Sequence, residues 1–301
     1  MRRILSAGAG LRRRLAFVVA ALAAFGLALA AVQTSAGSSG ESRTRDAGAA
    51  IVTVYEQPRA RGVMVTSGGW AYCQQVRTLA RRTGYTLLCG RYAKDGYLGL
   101  GLRSERHLDW GNHAYLSSLA GKAHALQARV GGELVLIGVS YSGFGVAALA
   151  SHHPDLRPDR LIVIDSYLDL VARRAVGGSD EIGREIDRET GGSVAALASR
   201  NVRVDGLAQL VSGGTRLSVI WSVAPAEARE FKGATCNRAA NADVLQRLAD
   251  ALGRPVNGWV TKNRHGHDLW DSGRKIMRGE MPGRKVQFRP GDEPPPDAAC
   301  S

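Results

Sequence analysis

A serine in a tight turn is the first residue whose setting favours chemistry. Ser140 lies within residues 138–143 (GVSYSG), which begin at the end of the apolar stretch 133–139 and precede a run of small residues. A sharp turn between a strand and a helix lifts a hydroxyl clear of the sheet, and small neighbours allow the two elements to approach closely. Such a hydroxyl becomes a nucleophile when a nearby base takes its proton. Ser140 is therefore the candidate nucleophile.

Two late histidines are candidates for that base. His265 and His267 lie within residues 263–268 (NRHGHD), directly after the apolar stretch 256–261. A competing interpretation takes both histidines, together with Asp268, as metal ligands. That pattern is incomplete, and it leaves the turn at Ser140 unexplained. The sequence therefore favours a site without a metal or any other cofactor.

The elements that must position these residues alternate along the chain. Short apolar or β-branched runs predict strands at 51–55, 62–66, 85–89, 133–139, 160–165, 216–221 and 256–261. Helical spacing of apolar residues predicts helices at 72–82, 112–130, 143–152 and 243–252. Apolar strands that alternate with amphipathic helices are typical of a parallel sheet covered on both faces. We therefore expect an α/β fold, with a mostly parallel central sheet flanked by helices.

This order, with a serine turn after the strand at 133–139 and a histidine after the last strand, resembles the α/β-hydrolase superfamily and its serine esterases and lipases. The turn resembles the nucleophile elbow G-x-S-x-G of that superfamily. One position departs from the pattern, because Ser142 replaces the second glycine and Gly143 follows one place later. The resemblance covers roughly residues 50 to 280, which is most of the chain after its N-terminal segment.

The resemblance implies a role for each candidate. Ser140 would be the nucleophile, and His267 would be its base in preference to His265, since a glycine precedes His267. One backbone N–H of the oxyanion hole would come from Tyr141, the residue after the nucleophile. The other would come from Gly69 or Trp70, in the loop after the strand at 62–66.

The acid that would orient the histidine has two candidates. Members of the superfamily usually place it after the strand before the histidine, where this chain offers Glu227 and no aspartate at the usual spacing. Some lipases place it one strand earlier, which corresponds to Asp165. Asp165 is slightly favoured, and a Ser–His dyad without an acid remains a third arrangement.

The resemblance also implies a cap and an activity. The segment 166–214 has weak helical signals and no strong strand, and this is where the superfamily inserts a small helical cap. The expected activity is hydrolysis of a small-molecule or lipid carboxylic ester through an acyl-enzyme. A peptidase or an acyltransferase would use the same machinery. An inactive scaffold that serves as a binding protein is the third hypothesis.

The N-terminus is typical of an export signal. Residues 1–36 hold five arginines and no acidic residue, and 18 apolar residues run from 15 to 32. We expect a cleaved signal peptide or, alternatively, an uncleaved anchor that would be the chain's contact with a membrane. A polar linker (37–49), a main domain (50–290) and a proline-rich tail (291–301) would follow. The mature protein would be secreted or extracytoplasmic.

The cysteines fit an oxidising compartment. The four cysteines, Cys73, Cys89, Cys236 and Cys300, allow three pairings. Cys73 follows one predicted strand and Cys89 ends the next, at the same edge of a parallel sheet. We therefore expect a Cys73–Cys89 bridge, and a Cys236–Cys300 bridge that would hold the tail.

The basic charge does not indicate a nucleic-acid partner. The chain has 40 basic and 27 acidic residues, a net charge of +13. Part of this excess belongs to the N-terminal segment, and the remaining arginines are interspersed with acidic residues. No nucleic-acid-binding motif is found, so a mildly basic, solvated surface is the better interpretation.

Overall fold

The computed structural model describes residues 43–44, 50–68, 70–92, 111–177, 181–222, 236–262 and 267–293. Within these ranges one mixed sheet contains the strands β1 (Arg43–Thr44), β2 (Ala50–Tyr55), β3 (Gly62–Thr66), β4 (Thr86–Tyr92), β5 (Glu133–Val139), β6 (Arg160–Ile164), β7 (Arg216–Ser222), β8 (Val256–Thr261) and β9 (Arg284–Phe288). The predicted signal or anchor (1–36) lies outside the described residues. So do most of the predicted linker and the residues of the tail from 294 onward.

Helices connect these strands in the same ranges. They are α1 (Trp70–Thr83), α2 (His113–Val130), α3 (Tyr141–His152), α4 (Leu170–Gly177), α5 (Glu181–Thr190), α6 (Val194–Arg200), α7 (Val204–Ser212), α8 (Cys236–Leu252) and α9 (His267–Met277). In the part of the chain that the structure describes, no helix combines the length and the apolarity that crossing a bilayer requires.

The strand order is β1-β2-β4-β3-β5-β6-β7-β8-β9. The six strands from β4 to β8 in this order run parallel to one another. The strands β1, β2 and β9 pair antiparallel at the two sides. The prediction of an α/β fold with a mostly parallel sheet is confirmed. The sheet begins with β1, inside the segment that the sequence predicts to be a linker.

The sheet also continues beyond the last predicted strand. The helix α9 and the antiparallel strand β9 follow β8, and neither is among the predicted elements. In β9 only Val286 and Phe288 are buried, and the residues between and before them are exposed. A short edge strand with two buried side chains gives a weak signal, because its exposed face tolerates charged residues.

Alternating side chains of the central strands build two cores, one on each face of the sheet. In β5, Leu134 and Leu136 pack into one core, and Val135, Ile137 and Val139 pack into the other. The first core also contains residues of α2, α3 and α8, and the second contains residues of α1 and α9. Both faces of β5 are therefore buried, which explains why its sequence is apolar without alternation.

The four helices α4 to α7 lie between β6 and β7, in the segment 166–214. The helix α7 packs closely on α3, because a Cβ at Gly206 would lie 1.9 Å from the carbonyl oxygen of Ser151. A second contact joins the end of α3 to the loop after α6, where His152 Nε2 donates to the carbonyl oxygen of Asn201 at 2.9 Å. Burial lowers the pKa of His152, although the bond to Asn201 opposes this shift. These contacts hold the inserted helices on α3, the helix that directly follows Ser140.

Candidate active site

Ser140 occupies a sharp turn between β5 and α3. Its φ is 55° and its ψ is −130°, a conformation that costs a non-glycine residue roughly 1–3 kcal/mol. Its N–H donates to the carbonyl oxygen of Ile164 at 2.8 Å, which fixes the turn to the end of β6. Ser140 is half-buried, whereas Val139 and Tyr141 beside it are buried. The turn thus presents the serine at the carboxyl edge of the sheet.

The glycines of the motif are required by close backbone contacts. A Cβ at Gly138 would lie 2.2 Å from the carbonyl oxygen of Ser142, and a Cβ at Gly143 would lie 2.6 Å from Cβ of Ser166. Both distances are too short for any side chain. The positions that need glycine are therefore 138 and 143, which explains how this chain carries Ser142 at the intervening position.

The side chain of Ser142 has a structural partner. Its Oγ lies 2.9 Å from Oγ1 of Thr66, the last residue of β3, and both residues are fully buried. The hydroxyl pair joins the serine turn to the strand that leads into the predicted oxyanion loop. The sequence marks Ser142 only as a departure from the motif. Its partner is 76 residues away, so no local pattern could have identified the contact.

The loop after β3 packs against the serine turn. Gly68 has a φ of 109°, and a Cβ there would lie 3.4 Å from Cβ of Ser142 and 3.5 Å from Cδ1 of Tyr141. Ser67 Oγ lies 2.9 Å from the hydroxyl of Tyr115 in α2 and holds the other side of the loop. The loop after β3 thus lies against the side chains of Tyr141 and Ser142, the two residues that follow Ser140.

Two predicted oxyanion donors lie at the limit of the described structure. Gly69 is outside the described residues. Trp70 is the first residue of α1, and its side chain is also outside the described part. The structure brings Tyr141 next to Gly68, the residue before these two candidates.

Asp165 follows β6 and has a φ of 47°. Its N–H donates to the carbonyl oxygen of Ile220 at 2.8 Å, and its Oδ1 accepts the N–H of Ser222 at 2.6 Å. The residue is only 3% exposed. Its carboxylate therefore lies at the end of β7, the strand that pairs with β8. Glu227, the alternative acid, is outside the described residues.

An asparagine holds the backbone directly after Asp165. Asn241 in α8 is fully buried; its Oδ1 accepts the N–H of Leu168 at 3.0 Å and its Nδ2 donates to the carbonyl oxygen of Ser166 at 2.7 Å. Tyr167 lies in this segment and stacks on Phe144 of α3, with ring centroids 6.1 Å apart. The sequence analysis did not identify Asn241, since a lone asparagine in a helix gives no functional signal.

Only the backbone of the candidate histidine, His267, belongs to the described structure. His267 is the first residue of α9, and its side chain lies outside the described part, as do His265 and the side chain of Asp268. The strand β8 ends at Thr261, three strands from β5, a separation of about 14 Å. Six residues of extended chain reach about 20 Å, so the connection is long enough to bring His267 to Ser140. Among the described side chains, no group of three or more His, Cys, Asp or Glu could hold a metal ion.

One disulfide fixes the helix that follows the loop after β3. Cys73 in α1 is bonded to Cys89 in β4, with Cα atoms 5.7 Å apart, and both are buried. This bridge is confirmed as predicted. The side chain of Cys236 and the whole of Cys300 lie outside the described residues, so a bridge between them stays a prediction.

No protein-family model matches the sequence, and no curated protein matches it. Solved structures do match. The sugar hydrolase YeeB from Lactococcus lactis is similar with a TM-score of 0.52 and 12% identity, over 77% of this chain and 87% of that chain. A structure of fungal esterases from Rhizomucor miehei is similar with a TM-score of 0.51 and 10% identity, over 79% of this chain and 80% of that chain. Together with the strand order and the serine turn, these similarities identify the chain's architecture as the α/β-hydrolase fold.

Proposed function

We propose that the protein is a serine hydrolase that cleaves carboxylic esters, with Ser140 as its nucleophile. The observation that supports this most strongly is the strained φ of 55° at Ser140, which lies between the buried strand β5 and the buried helix α3. A packing turn between the same elements would be satisfied by glycine, which adopts positive φ without strain. The similar structures from L. lactis and R. miehei, a sugar hydrolase and esterases, support the same class of reaction.

The proposed first step forms an acyl-enzyme. Ser140 Oγ bonds to the ester carbonyl carbon while the imidazole of His267 takes the hydroxyl proton. The N–H of Tyr141 and that of Gly69 or Trp70 donate to the oxyanion as negative charge develops. The bond between the carbonyl carbon and the alkoxy oxygen then breaks, and His267 returns the proton to the departing alcohol.

The second step regenerates the enzyme. A water molecule gives a proton to His267 and bonds to the acyl carbon, and the bond to Ser140 Oγ breaks as the proton returns to that oxygen. The products are a carboxylic acid and free Ser140. Asp165 is the proposed acid, because its buried carboxylate lies at the carboxyl edge of the sheet, where β8 also ends. It would hold the imidazole in one tautomer and stabilise its cationic form.

We also propose that the protein works outside the cytoplasm. The Cys73–Cys89 disulfide is consistent with an oxidising compartment. The basic and then apolar character of residues 1–36 would supply the export signal or an anchor.

Hydrolysis of short p-nitrophenyl esters tests the activity. The protein should release p-nitrophenol with saturation kinetics, and Ser140→Ala should lower kcat by at least about a thousandfold, because the triad acts as a unit. Ser199→Ala is the matched control, since Ser199 is an exposed serine of α6 and should leave the rate unchanged. A Ser140→Ala variant as active as the wild type would refute the assignment of Ser140 as the nucleophile. A folded wild-type protein without any turnover would favour the inactive binding scaffold.

A further inference from the structure

A groove lies between α1 and α9, on the face of the sheet opposite α2, α3 and α8. Its volume is about 270 Å³. Leu79 and Leu269 line it and are almost fully buried, so they form its apolar base. The two helices approach closely here because Gly273 has no side chain; a Cβ there would lie 3.2 Å from Leu79 Cδ1.

The walls of this groove are basic. Arg82 of α1 and Arg274, Lys275 and Arg278, at and just after the end of α9, line it, and all four are exposed. In the described part of the chain, Arg278 Nε donates to Oε1 of Glu280 at 2.7 Å, which neutralises one of these charges. The helix α1 contains no acidic residue, and the acidic residues of α9, Asp268 and Asp271, precede its basic group. The groove thus concentrates positive charge from two helices.

The groove is separate from the proposed catalytic edge. The helix α1 begins at Trp70 and α9 begins at His267, so each starts at a residue of the proposed catalytic site. The basic residues come near the opposite ends of both helices, about two to three turns further along. A ligand in the groove would therefore leave the serine turn open to an ester.

Cations in the last turn of a helix also stabilise its dipole, and both helices have such residues. That effect requires cations near each helix end, but it does not require them to line one shared cavity. Arg81 serves the dipole of α1 equally well and does not line the groove. The convergence of Arg82 with Arg274, Lys275 and Arg278 is thus a separate feature.

We propose that this groove binds a phosphate group, either of a soluble phosphoester or of a lipid headgroup. Arginine side chains present planar forks of N–H donors that match phosphate oxygens, and lysine adds a point charge. A doubly charged phosphate would offset the mutual repulsion of Arg82, Arg274 and Lys275. The proposal rests on the groove and its charges, and it does not depend on the hydrolase activity.

Inorganic phosphate is the first probe. Titration calorimetry with the full-length protein at constant ionic strength should show saturable binding, and phosphate should raise Tm relative to chloride. The double variant Arg82→Gln/Arg274→Gln should weaken phosphate binding by about tenfold or more, since it removes one charged fork from each wall. Arg81→Gln is the matched control: it removes the same charge from the same helix turn and should change the affinity by less than about threefold.

Two further probes distinguish the sources of the phosphate group. Glycerol 3-phosphate represents a soluble phosphoester, and phosphatidylglycerol vesicles, compared with phosphatidylcholine vesicles, represent a headgroup. Binding to either probe that the double variant loses and Arg81→Gln retains would support the site and identify its source. The N-terminal apolar segment is present in every variant, so it cannot produce this difference. No saturable phosphate binding by the wild type, or equal loss in Arg81→Gln, would overturn the proposal.

Discussion

Ser140 and Asp165 lie at equivalent places on neighbouring strands. Their preceding residues, Val139 and Ile164, are partners in the register of β5 and β6, and both Ser140 and Asp165 have positive φ, 55° and 47°. The N–H of Ser140 donates to the carbonyl oxygen of Ile164, so the two turns are linked directly. Two strained residues at the ends of adjacent strands support the proposal that the active site lies at this edge of the sheet.

Asp165→Asn should separate the two candidate acids. Asparagine retains an oxygen that can accept the N–H of Ser222, so the turn should persist while the carboxylate charge is lost. We expect kcat for p-nitrophenyl esters to fall by about a thousandfold or more, with Tm lowered only slightly. Glu227→Gln is the comparison and should change kcat by less than about threefold.

The reverse result would assign the acid to Glu227. Small effects of both variants would indicate a Ser–His dyad. Either result would leave Asp165 as a residue that holds the end of β6 against β7.

Gly143→Ala should damage the fold of the serine turn. The added Cβ would lie 2.6 Å from Cβ of Ser166, so strand and helix would have to separate, at a cost of about 1–3 kcal/mol in the free energy of unfolding. Gly121→Ala is the matched helical control, because a Cβ there meets nothing within 4 Å. It should stabilise the protein by about 0.5–1 kcal/mol. Urea unfolding measures both, and equal effects would contradict the close contact at Gly143.

The hydroxyl pair of Thr66 and Ser142 should show coupling in a double-mutant cycle. Thr66→Val or Ser142→Ala alone leaves the other buried hydroxyl without this partner, which costs about 1–3 kcal/mol of unfolding free energy. The double variant should lose less than the sum of the single variants. Strict additivity, measured by urea unfolding, would show that the contact contributes nothing to stability.

Glu133 should make the stability of the protein sensitive to acid. Burial alone would raise the pKa of Glu133, but a hydrogen bond from Tyr85 and the charges of Arg160 and Arg216 outweigh it and lower that pKa. Burial raises the pKa of Tyr85 to about 12, and the hydrogen bond to the Glu133 carboxylate and its charge contribute to this shift. Because the folded Glu133 has the lower pKa, the unfolded chain binds the proton first as pH falls below 4.5, the ordinary value.

The contribution of Glu133 is therefore complete above pH 4.5 and is lost as pH falls through the pKa of the folded state. Urea unfolding of Glu133→Gln at several acidic pH values should show a flatter dependence of stability on pH than that of the wild type. Glu280→Gln is the control, because its partner Arg278 is exposed and the pair is solvated. If both variants follow the wild-type curve, Glu133 does not carry this acid sensitivity.

The positions of the central strands along the chain could be predicted from the sequence, because burial on both faces makes parallel strands continuously apolar. The stretch 133–139 gave β5 with its observed bounds, and the position of the serine turn followed from it. The bridge between Cys73 and Cys89 followed in turn from the predicted strand ends. In each case the information lay within one short segment of sequence.

The remaining features depend on contacts between distant segments. The bond between Thr66 and Ser142 and the support of Ser166 and Leu168 by Asn241 join residues at least 73 positions apart. The helix α8 begins seven residues before the predicted start, because its first turns contain few apolar residues. The edge strand β9 was missed for the similar reason that half of it faces solvent.

Covalent labelling of Ser140 tests the central claim most directly. A fluorophosphonate should modify the folded, oxidised protein at one site, and mass spectrometry of the digested protein should place the adduct on Ser140. Ser140→Ala should take no label, while Ser199→Ala should take it as the wild type does. An adduct on another residue, or no adduct on a folded wild-type protein, would contradict the assignment of Ser140 as an activated nucleophile.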